Sequence, residues 1–242
     1  MISNKITLVV MNWLRPEILK EKILPAYVNY ELVDEIIISH GREDTYFEFD
    51  HPKIVNRKDW GDVNKSYGLS LRFLAASTAA NDTILIMDDD VYCSEEVFHD
   101  KLIYEYRKNP KRIVGTSGRG PSATGKYSVK GLRDVVPVVL TRCMLMNKEL
   151  CLQFFKHAPI MSDILKEGNP YWNGEDIFMS AVARDYYGND NFVAGWDDNR
   201  YESLQEVQSG ICHWKGTIEY RTLVLRFCKD YFGIWDEWWE RK

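Results

Sequence analysis

Three consecutive carboxylates, Asp88-Asp89-Asp90, follow directly on the apolar run Ile84-Leu85-Ile86-Met87. Adjacent acids repel one another and resist burial, so the segment either stays open to water or holds a cation. In a turn that leaves a strand, Asp88 and Asp90 can face the same side. Oxygen donors of this kind suit hard divalent ions, Mg²⁺ or Mn²⁺, which keep water and bind substrate phosphates. The plainer alternative is a solvated turn with incidental acids. An EF-hand loop is excluded, because its glycine and its distal glutamate are absent at the required spacing.

A second acidic pair, Glu175-Asp176, stands in the segment Asn173-Gly174-Glu175-Asp176-Ile177-Phe178-Met179. Asn173 suits a helix N-cap, and acids in the first turn complement the helix dipole, so the segment reads first as a capped helix. At the mouth of a cleft the same pair could orient an acceptor hydroxyl, act as a base or stabilise positive charge on a sugar. The third segment is Gly210-Ile211-Cys212-His213-Trp214-Lys215-Gly216. A single histidine is more often structural than a ligand, but His213 is a candidate to join Asp88 and Asp90 at a metal. Lys215, between glycines, could reach a phosphate oxygen as a point charge.

These residues need a scaffold, and the apolar periodicity supplies one. Ile6 to Met11 forms a β-branched run, followed by Arg15-Pro16-Glu17 and a helical pattern through Tyr30, with Pro16 suited to a first turn. Glu35 to Ser39 repeats the strand signal, Lys53 to Asn56 gives a weaker third strand, and Thr83 to Met87 is a continuous apolar fourth. Between them, Asn64 to Ala80 has helical spacing. Continuous apolar strands separated by helices predict a parallel sheet covered on both faces, so residues 1–110 read as a doubly wound α/β half. In such sheets ligands bind outside the carboxyl ends of the strands, where the acidic triplet stands.

Beyond this half, Ser94-Glu95-Glu96 opens a helix that runs to Asn109-Pro110, and Ile113 to Gly115 is a short strand. Thr116 to Gly131, rich in Gly, Ser and Lys, predicts a mobile loop or a hairpin. Val135 to Met146 is strand-like, with Pro137 arguing for an edge or a bulge. Helices from Lys148, Asn173 and about Thr217 follow, and Trp235, Trp238 and Trp239 have the spacing of a packed helix face. No repeat or linker interrupts the pattern, so residues 1–242 read as one domain.

Composition narrows the function. The 242 residues carry 31 Lys and Arg against 36 Asp and Glu, a net charge of −5, and no basic run, which argues against nucleic-acid partners. With 45% hydrophobic and 28% charged residues the chain is globular rather than disordered. The cysteines are five and widely spaced, so they read as buried small hydrophobes in a reducing compartment, not as a zinc site or a disulfide framework. Met1 to Leu14 has one cation, a short apolar run and no small-residue cleavage site, which points to neither a signal peptide nor an anchor. A cytoplasmic chain without a membrane segment is the expectation, with the compartment otherwise open.

Taken in order, the early strands and helix, Met87-Asp88-Asp89-Asp90, Ile113-Val114-Gly115, Gly125-Lys126-Tyr127-Ser128 and Gly174-Glu175-Asp176-Ile177 resemble the exostosin-type, GT64-like glycosyltransferase domain. That is the catalytic domain of the heparan sulfate exostosins and of the exostosin-like N-acetylhexosaminyltransferases. The resemblance runs from the first strand to at least Gly188. It implies the GT-A fold: a Rossmann-like, doubly wound mixed sheet flanked by helices, in a single domain with a nucleotide-binding half (1–110) and an acceptor-binding half (111–242). It also implies a UDP-sugar donor, Mn²⁺ as the usual cation, and transfer with retention of configuration. The triplet, a DXD-type motif, would contact metal through Asp88 and Asp90 and ribose through Asp88 and Asp89. Asp176 falls on the family's active-site aspartate, with Glu175 beside it. Arg15 matches an arginine near the nucleotide pocket, and Asn64-Lys65 resembles the start of an Asn-Arg-x-x-Asn-Arg donor stretch whose second half is here Tyr67-Gly68-Leu69. The family's C-terminal His-Arg pair is replaced by His213-Trp214-Lys215, leaving Lys215 or Arg221 to stand in for its arginine.

The expected function is therefore metal-dependent transfer of a hexosyl or N-acetylhexosaminyl group from a UDP-sugar to a hydroxyl of a glycan or glycoprotein. Two rivals are a sugar nucleotidyltransferase, which would carry a Gly-rich basic loop after the first strand, and a catalytically silent nucleotide-sugar-binding module. Met11 to Arg15 contains no such loop. A phosphatase with an aspartyl nucleophile would need Asp-x-Asp at the first strand, which carries none.

Overall fold

The computed structural model describes residues 5–157, 159–160, 173–194, 201–203 and 215–240. β1 (Ile6–Asn12) is buried along its whole length, because parallel neighbours flank it on both edges and helices cover both faces. Beside it lie β2 (Val33–His40) and then β3 (Ile54–Lys58) on one edge, and β4 (Thr83–Asp88) on the other. The chain thus winds outward from β1 in one direction, then returns to start again on the opposite side. This reversal of strand order opens a crevice between the ends of β1 and β4.

Beyond β4 the sheet ceases to be purely parallel. β11 (Cys143–Asn147) runs antiparallel to β4, and β6 (Val114–Gly115), β12 (Asn191–Val193) and β9 (Asp134–Val136) complete an eight-stranded mixed sheet in the order β3-β2-β1-β4-β11-β6-β12-β9. The strand-like stretch Val135 to Met146 is three strands, not one: β9, β10 (Val138–Val139) and β11. Pro137, with no N–H for a ladder, falls where the chain leaves the main sheet for a smaller one. That smaller sheet orders β10 with β7 (Gly118–Pro121) and β8 (Tyr127–Leu132), so the Gly-rich stretch is a hairpin. β5 (Val91–Cys93) pairs with β13 (Tyr201–Ser203).

Alternate strand residues feed two cores. Val9, Ile84, Ile86 and Met144 meet α3 (Leu71–Ser77), α5 (Glu149–Lys156), α6 (Glu175–Tyr187) and α7 (Thr217–Phe232) on one face. Leu8, Val10, Leu85 and Leu145 meet α1 (residues 16–27) and α4 (residues 95–108) on the other. The helix expected over Asn64 to Ala80 breaks into α2 (Asp62–Tyr67) and α3, with Gly68 at φ 51° between them. Ser94 caps α4 as expected, accepting from the amide of Val97 at 3.4 Å. Trp235 and Trp238 are buried where α8 (Asp236–Trp239) closes onto the first core. Cys93, Cys143, Cys151 and Cys228 are free and buried, and Cys212 lies outside the described residues. Among the described residues no helix is long and apolar enough to cross a membrane.

The close approach of the two sheets turns on Gly115. A Cβ there would meet Val139 Cγ1 at 2.2 Å and the carbonyl oxygen of Cys143 at 2.8 Å. Neither neighbour can move freely, since Val139 is in a strand and the second contact is backbone. Gly115→Ala is expected to destabilise the protein by about 3 kcal/mol, read as a lowered midpoint in urea unfolding; an unchanged midpoint would show that the sheets slide to accommodate the methyl.

Candidate active site

The register of β1 against β4 pairs Met11 with Asp88, so the loop after β1 faces the turn after β4. Asp89 fastens the two together. Its Oδ2 accepts from the amides of Trp13 (3.1 Å) and Leu14 (3.4 Å), and its Oδ1 accepts from Arg15 Nη1 at 2.9 Å. The same Arg15 nitrogen lies 3.2 Å from Asp90 Oδ2. Asp89 and Asp90 are thereby buried, while the Asp88 side chain keeps 29% of its surface exposed.

Because β11 is antiparallel to β4, its first residues arrive at the same mouth, and the Asp88 amide donates to the carbonyl of Arg142 at 3.3 Å. α6 packs on β10, where Ser180 Oγ accepts from the amide of Val139 at 3.1 Å, and this aims the helix N-terminus, with Glu175 and Asp176, into the crevice. The first turns of α7 close the far side. The result is a cleft of about 330 Å³ whose lining residues include the acids Asp88, Asp89, Asp90, Glu175 and Asp176 and the arginines Arg15, Arg72, Arg119, Arg142 and Arg221.

Two arginines hold the second acidic pair. Arg221 Nη2 grips both oxygens of Asp176, at 2.8 and 2.6 Å, its Nη1 donates to Asn173 Oδ1 at 2.6 Å, and its plane lies over the Tyr127 ring at 4.6 Å. Burial works against the Arg221 charge, but Asp176 and Tyr127 raise its pKa further above its ordinary value. Arg72, also buried, donates to Asp88 Oδ1 at 2.7 Å and lies 3.9 Å from Glu175 Oε1, so a single cation spans the two acid clusters. Thr141 Oγ1 donates to Glu175 Oε1 at 3.4 Å and the Gly174 amide to Oε2 at 3.1 Å. Burial, and then the neighbouring charge of Asp176, push the Glu175 carboxyl up to about 7 against the opposing pull of Arg72 and Arg221.

Of the residues picked from the sequence, Arg15, Asp88, Asp89, Asp90, Glu175 and Asp176 line this one cleft. Asn173 does not cap α6; the preceding residue is Gly174 at φ 117°, and the Asn173 side chain serves Arg221 instead. Asn64 and Lys65 are not among the lining residues, and Lys65 is exposed on α2, 3.5 Å from Asp62. Lys215 is exposed in the turn before α7, whose Thr217 and Ile218 do reach the cleft. His213 lies outside the described residues, among which no three His, Cys, Asp or Glu side chains gather to hold a metal. Of the two stand-ins for the C-terminal arginine, Arg221 is the one in the cleft. Sequence reasoning missed Arg72, although it shares a helix face with Leu69 and Ala76, where a buried cation demands an acid partner.

A mixed, doubly wound sheet with its cleft at the reversal of strand order is the architecture of GT-A glycosyltransferases. The chain belongs to the glycosyl transferase family 64 domain family, whose model matches residues 6–234, and is accordingly a glycosyltransferase. It is 25% identical over 223 residues to a glycosyltransferase family protein 64 C3 of Arabidopsis thaliana, covering 84% of this chain and 68% of that protein. Among solved structures it is similar to GalNAc-T7, crystallised with UDP, GalNAc and Mn²⁺, with a TM-score of 0.60, 10% identity and 94% of this chain covered. The chain spans about half of that enzyme, 49%. A 2-C-methyl-D-erythritol 4-phosphate cytidylyltransferase of Francisella tularensis matches at a TM-score of 0.49 and 14% identity, over 82% of this chain and 93% of that one.

The raised pKa of Glu175 has a stability consequence. Between its ordinary 4.5 and about 7 the folded protein holds a proton that the unfolded chain releases, so Glu175 subtracts stability as pH climbs through this window. Glu175→Gln removes that loss. Melting temperatures of the two proteins are expected to diverge in favour of the variant as pH rises from 4.5 to above 7; parallel curves would refute the shifted ionisation.

Proposed function

We propose that the protein is a metal-dependent, exostosin-type glycosyltransferase that moves a hexosyl or N-acetylhexosaminyl group from a UDP-sugar to a hydroxyl of a glycan or glycoprotein, with retention. The observation that carries this reading is the meeting of two acid clusters, far apart in the chain, in one cleft at the strand-order reversal. Residues 1–110 form the nucleotide side and residues 111–242 the acceptor side.

The donor set suits a divalent cation. Asp88 is the most open of the triplet, Asp90 lies two residues on, and two carboxylates leave coordination positions for diphosphate oxygens and water, as Mn²⁺ and Mg²⁺ prefer. Charge argues the same way. Among the described residues the lining holds five acidic residues and five arginines, so it carries no large positive excess to meet a diphosphate, whose charge calls for a further cation. When bound, the cation offsets charge on the departing diphosphate. His213 and Lys215 remain candidates for metal and phosphate contacts from the segment before α7.

The chain's own groups do the rest. Arg15, held between Asp89 and Asp90, and Arg72, held by Asp88, present N–H groups to the nucleotide diphosphate. Asn64 and Lys65 would contribute only from the rim. Asp176, gripped in a bidentate pair, keeps a fixed carboxylate to stabilise positive charge at the anomeric carbon or to orient the acceptor. Glu175, with its pKa near 7, can take up or release a proton at neutral pH and so serve the acceptor hydroxyl.

The test is transfer from a panel of UDP-sugars with Mn²⁺. Asp88→Asn, Asp90→Asn and Asp176→Asn are each expected to lower kcat/KM by about 100-fold or more, and removal of the metal with EDTA to abolish turnover. Full activity in the variants would sink the assignment. Metal-dependent UDP binding with neither transfer nor donor hydrolysis would identify a silent module instead.

A further inference from the structure

The β7–β8 hairpin lends Arg119, Tyr127 and Val129 to the cleft, but its tip rests against the C-terminal helices. The tip is a tight unit in its own right: the Gly125 amide donates to Ser122 O (2.8 Å) and the Ser122 amide to Lys126 O (2.7 Å). Gly125, at φ 70°, comes so near the Trp239 indole that a Cβ would meet Nε1 at 2.9 Å. Arg226 Nε on α7 donates to the Gly125 carbonyl at 3.3 Å. Lys229 draws α8 against α7 through Asp236 at 2.6 Å. One step along β8, the amide of Tyr127 donates to Thr222 Oγ1 at 2.9 Å, and the Tyr127 ring supports the guanidinium of Arg221, the partner of Asp176.

We infer that Trp239 and Arg226 are positioning residues: they latch the hairpin tip to the C-terminal helices, and thereby fix Tyr127 beneath Arg221 and the Asp176 carboxylate in the cleft. Neither lines the cleft, so each acts through the hairpin. The kinetic consequence rests on the glycosyl-transfer reading; the latch itself does not.

Two measurements on the full chain separate these. In Trp239→Ala, amide hydrogen exchange of residues 119–132, read without ligand, is expected to quicken. In the transfer assay kcat is expected to fall about tenfold, with affinity for UDP plus MnCl₂ kept within about twofold of wild type. Trp239→Phe should recover most of both effects. Arg226→Met, which keeps the reach of the side chain but has no N–H to donate to the Gly125 carbonyl, at an exposed position where no cavity opens, should reproduce the pattern in weaker form and stands in if Trp239→Ala does not fold. Unchanged exchange in the folded variants overturns the latch. Faster exchange with an unaltered kcat overturns the positioning role, as does UDP affinity that falls in step with kcat. If wild type turns over no donor, the transfer reading fails, and hydrogen exchange alone decides the latch.

Discussion

The gathering of five carboxylates, four of them buried, among the described residues of one cleft is the constraint on which the rest of the structure depends. Unopposed, their repulsion and desolvation would force protons onto them or pry the cleft open. Arg15, Arg72 and Arg221 oppose this, each from a different element and each with more than one partner, although Glu175 is still pushed up to about 7. Stripping one partner from a buried pair costs about 3–5 kcal/mol, so the set stands together. Arg72 matters most to the geometry. It contacts both clusters, and so ties the spacing between Asp88 and Glu175 to a single side chain.

The sheet is what delivers these partners to each other. Parallel pairing of β1 with β4 puts two strand ends side by side, so the loop carrying Arg15 faces the turn carrying the triplet. Reversing direction at β11 then brings a strand start, with Thr141 and Arg142, to the same edge. A purely parallel sheet would have placed another carboxyl end there, with its own loop and helix. The antiparallel insertion leaves room for α6 to arrive end-on, which is why an acidic pair some ninety residues beyond the triplet can share its cleft.

Much of this was readable from the residues. The continuous apolar runs Ile6 to Met11 and Ile84 to Met87 admit little besides buried strands, and Asp88 at the end of one marks the functional edge. What escaped has a common cause. Arg72 lies between Leu71 and Phe73, and its partner Asp88 is contributed by a different element, so nothing local reveals the pair. Asn64-Lys65 matches a stretch of sequence, but beyond the break at Gly68 it is Arg72 on α3, and no residue of α2, that lines the cleft. Asn173 looked like a cap on local grounds, and a buried guanidinium outcompeted the helix amides for its oxygen. Val135 to Met146 kept one strand-like pattern through two changes of sheet, since apolar alternation does not register where a ladder ends.

The net charge of −5 is a poor guide to what the cleft accepts. Charges beyond a Debye length of roughly 8–10 Å in physiological salt are largely screened, so an incoming ligand responds to the lining and not to the whole chain. Among the described residues that lining holds five acids and five arginines, and the most exposed of those acids, Asp88, already shares Arg72 with Glu175. On the proposed function, a phosphate group approaching Arg72 would weaken its hold on Asp88 and free a carboxylate for another cation. In the proposed reaction the anion and the metal would thus be linked, each making room for the other, and an acidic protein would hold a diphosphate without a basic surface.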